Sequence, residues 1–136
     1  MEKDSLEKSG LDLLRVICSA ALDKKAKDIN ILYVKDLFKI ADYFFICSAD
    51  STVQVGAITE NILEKTHRLG IRQIGIEGNR YNQWVLLDFD NVIIHIFYKS
   101  VRTFYDLDGL WKDAPKVKLE ELEKFNNEAK TSDFST

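Results

Sequence analysis

Apolar residues recur at two periods along this chain, and the switches between them divide it into elements. Leu11, Leu14, Cys18, Ala21 and Leu22 repeat at helical spacing, and Ser9-Gly10-Leu11-Asp12 fits a cap with an acid three residues on. A first helix is therefore expected from Ser9 to about Lys25. Ile29 to Val34 is β-branched and aromatic with partial alternation, and Tyr43-Phe44-Phe45-Ile46-Cys47 is the unbroken apolar run of a strand covered on both faces. Ser51 and Gln54 then form a Ser-x-x-Gln capping box, Val55, Ile58, Ile62 and Leu69 share a helix face, and Gly70 stands where that helix should stop.

Alternation returns over Gln73 to Glu77, with Ile74 and Ile76 on one side, and Glu77-Gly78-Asn79 predicts a turn. Trp84 to Phe89 and Val92 to Tyr98 predict two strands joined by a hairpin at Asp90-Asn91. Val101, Phe104, Tyr105, Leu107, Leu110 and Trp111 resume helical spacing, with a break expected at Gly109 and the only proline, Pro115, closing the unit. The order α-β-β-α-β-β-β-α predicts an α/β sandwich built on a five-stranded mixed sheet flanked by helices. The second helix reads as a crossover, so the strands it joins should run parallel. Residues 1–115 are expected to form one domain, and residues 116–136 a C-terminal helix over Lys118 to Lys130 followed by a frayed tail.

A chain of 136 residues is long enough to bury a core without disulfide or metal. Cys18 and Cys47 sit in apolar segments and lack metal or redox spacing, which predicts buried free thiols. A net charge of −3 weighs against affinity built on neutralising many phosphates and better suits a basic protein partner. The alternating charge of Glu2 to Lys8 fits neither a signal nor a transit peptide, and no apolar run reaches the ~20 residues of a membrane span. A cytoplasmic protein is expected.

Four features invite a chemical reading. Asp88 and Asp90, two apart on a strand, would point to one face and could hold Mg²⁺ for phosphoryl transfer. No Gly-rich phosphate loop or basic clamp accompanies them, however, and Asp90-Asn91 is ordinary turn composition. His95 lies between Ile94 and Ile96 without the Ser, Cys or second His that catalysis or metal ligation requires, which favours a hydrogen-bonded structural residue. Trp84, Leu86 and Asp88 should project to one side of their strand and Val85, Leu87 and Phe89 to the other. One set must be core. The Trp84 set is either buried by helices as well, or an exposed apolar strip with a tryptophan anchor of the kind that marks an interface. Arg102 with Phe104, Tyr105 and Asp106 reads as an interface edge or a packed helix with a solvated face, and too few basic neighbours surround it for single-stranded RNA.

Several of these stretches together resemble the ribosomal silencing factor, or Iojap-like, family. The resemblance spans about Leu11 to Pro115. It rests on Ile40-Ala41-Asp42-Tyr43-Phe44, on Ser51 with Gln54-Val55, on Glu77-Gly78, on Trp84-Val85-Leu86-Leu87-Asp88 and on Val92 to Phe97. Val101-Arg102, Phe104 to Leu107, Leu110-Trp111 and Asp113-Ala114-Pro115 complete it. The chain departs from the usual pattern at the Asp88 to Asn91 hairpin, Val53, Tyr98-Lys99 and Gly109.

The resemblance implies a nucleotidyltransferase-like core without its catalytic signature, no enzymatic activity and no cofactor or metal. It implies binding to the large ribosomal subunit through ribosomal protein fourteen, which blocks the small subunit and represses translation when nutrients are scarce. A homodimeric free state and at most minor nucleic-acid contact are also implied. Carried onto this sequence, it assigns the contact to Trp84, Leu86, Asp88, Arg102 and Tyr105. A large-subunit assembly factor using the same surface is the main alternative, and a metal-dependent nucleotidyltransferase using Asp88 and Asp90 a more remote one.

Overall fold

A computed structural model of the chain describes residues 2–122. Helix α1 (Glu2–Asp23) leads into β1 (Lys27–Tyr33) and β2 (Tyr43–Ala49), α2 (Thr52–Arg68) follows, and then come β3 (Gly75–Glu77), β4 (Trp84–Asp88) and β5 (Val92–Tyr98). Two short helices, α3 (Lys99–Tyr105) and α4 (Leu107–Leu110), complete the order. The strands form one mixed sheet in the order β1-β2-β5-β4-β3.

At its centre β2 and β5 run parallel, from Tyr43 opposite Val92 to Ala49 opposite Tyr98. Every residue of β2 is buried, as its unbroken apolar run requires. All other pairings are antiparallel, including the expected β4–β5 hairpin. The two strands joined by α2 point the same way, but β5 and β4 lie between them. Ser51 Oγ accepts from Gln54 N at 3.1 Å, the first bond of the capping box, while Gln54 Oε1 reaches one residue further back and accepts from Asp50 N at 2.8 Å. Gly70 takes the left-handed φ of 75° that ends this helix.

The alternation of β4 and β5 divides the apolar residues between two sides. On one, α1 and α2 cover Phe45, Cys47, Val85, Leu87, Ile94 and Ile96 with Leu14, Ile17, Ile58 and Ile62. On the other, a smaller cluster joins Leu32, Val34, Phe44, Ile46, Ile93 and Phe97 to half-buried Phe38, Trp84, Leu86, Val101, Leu107 and Trp111. Both cysteines are buried thiols. Burial pushes the Cys47 thiol up to about 12, which removes it as a nucleophile.

Three boundaries differ from expectation. Helix α1 begins at Glu2 instead of at a Ser9 cap, and Gly10 lies inside it, where a Cβ would come within 2.9 Å of the Tyr43 ring. The helical break falls at Asp106 and not at Gly109: Asp106 turns left-handed, with φ 46° and ψ 50°, and its carboxylate accepts from Gly109 N at 3.1 Å to cap α4. A Cβ at Gly109 would lie 2.2 Å from that carboxylate, so the glycine serves the cap.

Nor does the chain leave the fold at Pro115. Pro115 O accepts from Tyr33 N, Val117 N donates to Ile31 O, both at 2.8 Å, and Lys116 pairs antiparallel with Leu32. This short run covers the outer edge of β1, whose backbone groups would otherwise stay unpaired. Leu122 is buried in the α1–α2 side of the core. The chain is helical over 119–122, and the rest of the helix expected to Lys130, with the tail beyond it, lies outside the described residues.

Candidate binding face

The second side of the sheet is where the predicted contact residues gather. Trp84 and Phe97 face each other across β4 and β5, and their rings stack at 4.8 Å with an interplanar angle of 28°. Tyr105 meets the indole at 5.0 Å with the rings tilted by 46°, and touches Phe104 edge to face at 5.1 Å. Behind them His95, Phe44, Trp111 and Phe38 continue the aromatic contacts, with centroid distances of 5.1 to 5.5 Å along that chain. Trp84 is half-buried. Tyr105 is 57% exposed, Phe104 81% and Leu110 74%, so apolar surface remains open along α3 and α4.

Leu86 is half-buried on the same side, next to Trp84. Asp88 sits at the end of the strip, where Oδ1 accepts from Asp90 N at 2.8 Å and holds the hairpin turn, with Asp90 itself at φ 72°. This contact makes the Asp88 carboxylate part of the turn. Among the described residues no group of three or more His, Cys, Asp or Glu is assembled to hold an ion.

Arg102 is placed differently from Trp84 and Tyr105. Its guanidinium grips Asp108 through two donors, Nε at 3.0 Å and Nη2 at 2.8 Å, while Nη1 reaches Asp28 O at 2.5 Å and Ser48 Oγ at 2.8 Å. Asn30 donates to the same carboxylate at 2.9 Å. These hydrogen bonds, led by the Arg102 contact, hold the Asp108 carboxyl below the usual carboxylate range. The clamp ties α3 and α4 to β1 and β2 and so fixes the elbow at Asp106. Arg102 thereby supports the face from beneath, while Trp84, Leu86 and Tyr105 form its surface.

His95 was not legible as part of this constellation, because its link to Trp84 depends on strand register. It pairs with Leu86 across the hairpin and is diagonal to Trp84, whose Nε1 donates to His95 Nδ1 at 3.1 Å. Burial lowers the imidazole to about 4, against the opposing pull of the Asp108 charge, so the ring is neutral near pH 7. Asp28, Ser48 and Asp108 likewise gain their roles only through contact with Arg102, and Asn30 through its bond to Asp108. No periodicity in the sequence marks them.

The fold and this face define a small α/β protein with one side of its sheet closed by helices and the other carrying a preordered, partly open aromatic surface. A family model described as ribosomal silencing factor during starvation matches residues 7–136, and the chain belongs to that family, as the resemblance in its sequence implied. Ribosomal silencing factor RsfS of Halalkalibacterium halodurans is 39% identical over 112 residues, covering 82% of this chain and 96% of that protein. The X-ray structure of a Chromobacterium violaceum protein superposes with a TM-score of 0.72 at 30% identity, over 74% of this chain and 84% of that one. A protein of Mus musculus named mitochondrial assembly of ribosomal large subunit protein 1 is 28% identical over 99 residues, 71% of this chain and 43% of the mouse protein.

Proposed function

We propose that the Trp84 face docks on the large ribosomal subunit through ribosomal protein fourteen and keeps the small subunit from joining, so that translation is held down when nutrients are scarce. The observation that carries this reading is the half-buried Trp84, stacked on Phe97 and in tilted contact with the exposed Tyr105, with Leu86 beside it. A tryptophan at the centre of an open apolar strip is the usual anchor of a protein interface. A net charge of −3 favours encounter with a basic ribosomal protein over direct contact with rRNA phosphates. Blocking is steric and needs no turnover. The free protein is proposed to be cytoplasmic and homodimeric; among the described residues, no helix is long and apolar enough to cross a membrane.

Co-sedimentation with isolated large subunits tests the reading, with wild type and Trp84→Ala side by side and small subunits added afterwards. Wild type should bind and prevent joining. Trp84→Ala should weaken binding by about 2 kcal/mol or more yet stay folded, because Val85 and Leu87 hold β4 from its other side. Failure of wild type to bind would sink the proposal. The name of the mouse relative favours a second reading, large-subunit assembly through the same face. Depletion separates the two: precursor subunits accumulate if assembly is the role, whereas mature subunits with unrestrained translation in starvation indicate silencing.

A further inference from the structure

His95 stands behind the docking face and not on it. It is 5% exposed, with the rings of Phe44, Trp84 and Phe97 around it at centroid distances of 5.1, 6.0 and 6.2 Å. An indole nitrogen can only donate, so the contact from Trp84 Nε1 to His95 Nδ1 has a single polarity. Nδ1 must carry the lone pair, and the neutral ring must carry its proton on Nε2. That Nε2–H is buried and makes no hydrogen bond among the described residues. Leucine or phenylalanine would fill the same space with no stranded donor, so packing alone does not account for a histidine here.

Contact with Phe97 and Tyr105 fixes the plane of the indole but not which edge carries Nε1, because a half-turn about Cβ–Cγ leaves the plane unchanged. A directional bond to Nε1 selects one orientation. We propose that His95 is the positioning residue of the docking face, its Nδ1 setting the edge that Trp84 presents before any partner arrives. This deepens the docking reading and rests on it, although the hydrogen bond belongs to the free protein. The contact requires a neutral imidazole, and burial maintains one; the charged group acting on the ring is Asp108, whose pull is overridden.

The arrangement also specifies the partner's chemistry. With the indole N–H already taken by His95, Trp84 offers hydrocarbon to the subunit, and its complement there is an apolar pocket with no acceptor for that N–H. An indole positioned in advance loses less freedom on binding, which strengthens association without adding a contact.

The test pairs His95→Asn with His95→Leu. The two side chains are close in size and leave a similar gap, but only asparagine keeps an acceptor, Oδ1, near the place of Nδ1. Nitrogen-15 spectra of the free wild type should show Nδ1 unprotonated and Nε2 protonated, with the Trp84 indole proton shifted downfield and slow to exchange; Trp111→Phe assigns the signal. His95→Asn should keep that shifted proton and bind large subunits within about threefold of wild type, while His95→Leu should lose it and bind roughly fivefold to tenfold more weakly, the loss expected for one hydrogen bond. Equal binding by the two variants, or the opposite tautomer in wild type, would overturn the proposal. Should neither variant fold, the tautomer and the exchange of the indole proton in wild type decide it. Absence of binding by wild type would overturn the docking reading instead, with the spectra still reporting on the His95–Trp84 bond.

Discussion

The two sides of one sheet are finished in different ways. On the α1–α2 side, helices of 22 and 17 residues span the sheet, and Phe45, Leu87, Ile94 and Ile96 are fully buried. The opposite side has helices of only 7 and 4 residues, so its order comes from stacked rings, the Arg102–Asp108 clamp and the Trp84–His95 bond. Area burial is non-directional and suffices where cover is complete. A face that must stay open cannot rely on cover, and directional contacts hold its side chains in place instead. The buried polar side chains of the closed side, Thr59, Asn61 and Thr66, bond to helix backbone, whereas Arg102, Asp108 and His95 bond to other side chains around the open face.

The sharpest way to break this contrast uses adjacent residues of β4. Leu87→Ala, on the closed side, should cost about 2–5 kcal/mol of stability in chemical denaturation, with binding unchanged per folded molecule. Leu86→Ala, on the open side, should cost less, about 1–2 kcal/mol of stability, because the side chain is only partly withdrawn from water, yet weaken subunit binding. Equal destabilisation by the two would mean the faces are not distinct.

Acid should act on the open side. The imidazole of His95 lies at about 4 in the folded protein against an ordinary 6.5, so the unfolded chain takes up its proton first. The resulting stability is fully present above pH 6.5 and is lost as pH falls towards 4, about 3 kcal/mol in all at 1.36 kcal/mol per unit. Denaturation of wild type and His95→Leu between pH 7 and 4 checks this: the variant's curve should be flatter by that amount, and parallel curves would refute it.

The clamp comes next in size. Arg102→Ala leaves the Asp108 carboxylate without its main partner and should cost about 1–3 kcal/mol, with faster amide exchange over α3 and α4. Subunit binding should fall as well, because the elbow that carries Tyr105 loosens. Arg102→Lys should recover only part of the loss, since one ammonium cannot reproduce the two-donor grip. Smallest is Ser51→Ala, which removes the α2 cap on the closed side and should cost about 1 kcal/mol in thermal unfolding, leaving binding untouched. Any effect of Ser51→Ala on binding would show that the two sides are coupled.

Periodicity carried the order of elements, the Ser51 cap of α2, the buried β2 and the hairpin at Asp90-Asn91, because each is set by residues within a few positions of one another. It also placed Trp84, Leu86 and Asp88 opposite Val85, Leu87 and Phe89, since strand alternation is local. The beginning of α1 was misjudged: Ser9 and Gly10 have the composition of a cap, while the Gly10 position answers to the Tyr43 ring, a residue of another element. The elbow at Asp106 was misplaced for a similar reason, as glycine at position 109 accommodates a carboxylate and does not break the helix itself.

Which side of the sheet would stay open was beyond local pattern, because both strips of β4 are apolar and the outcome rests on how far helices from other parts of the chain reach. Only register brings His95 diagonal to Trp84, and only the packing of α3 and α4 on β1 and β2 turns Arg102 inward to Asp108, Asp28 and Ser48. Contacts between residues distant in sequence leave no periodic trace, so the elements were legible from the chain while the assembly of its working face depended on the fold.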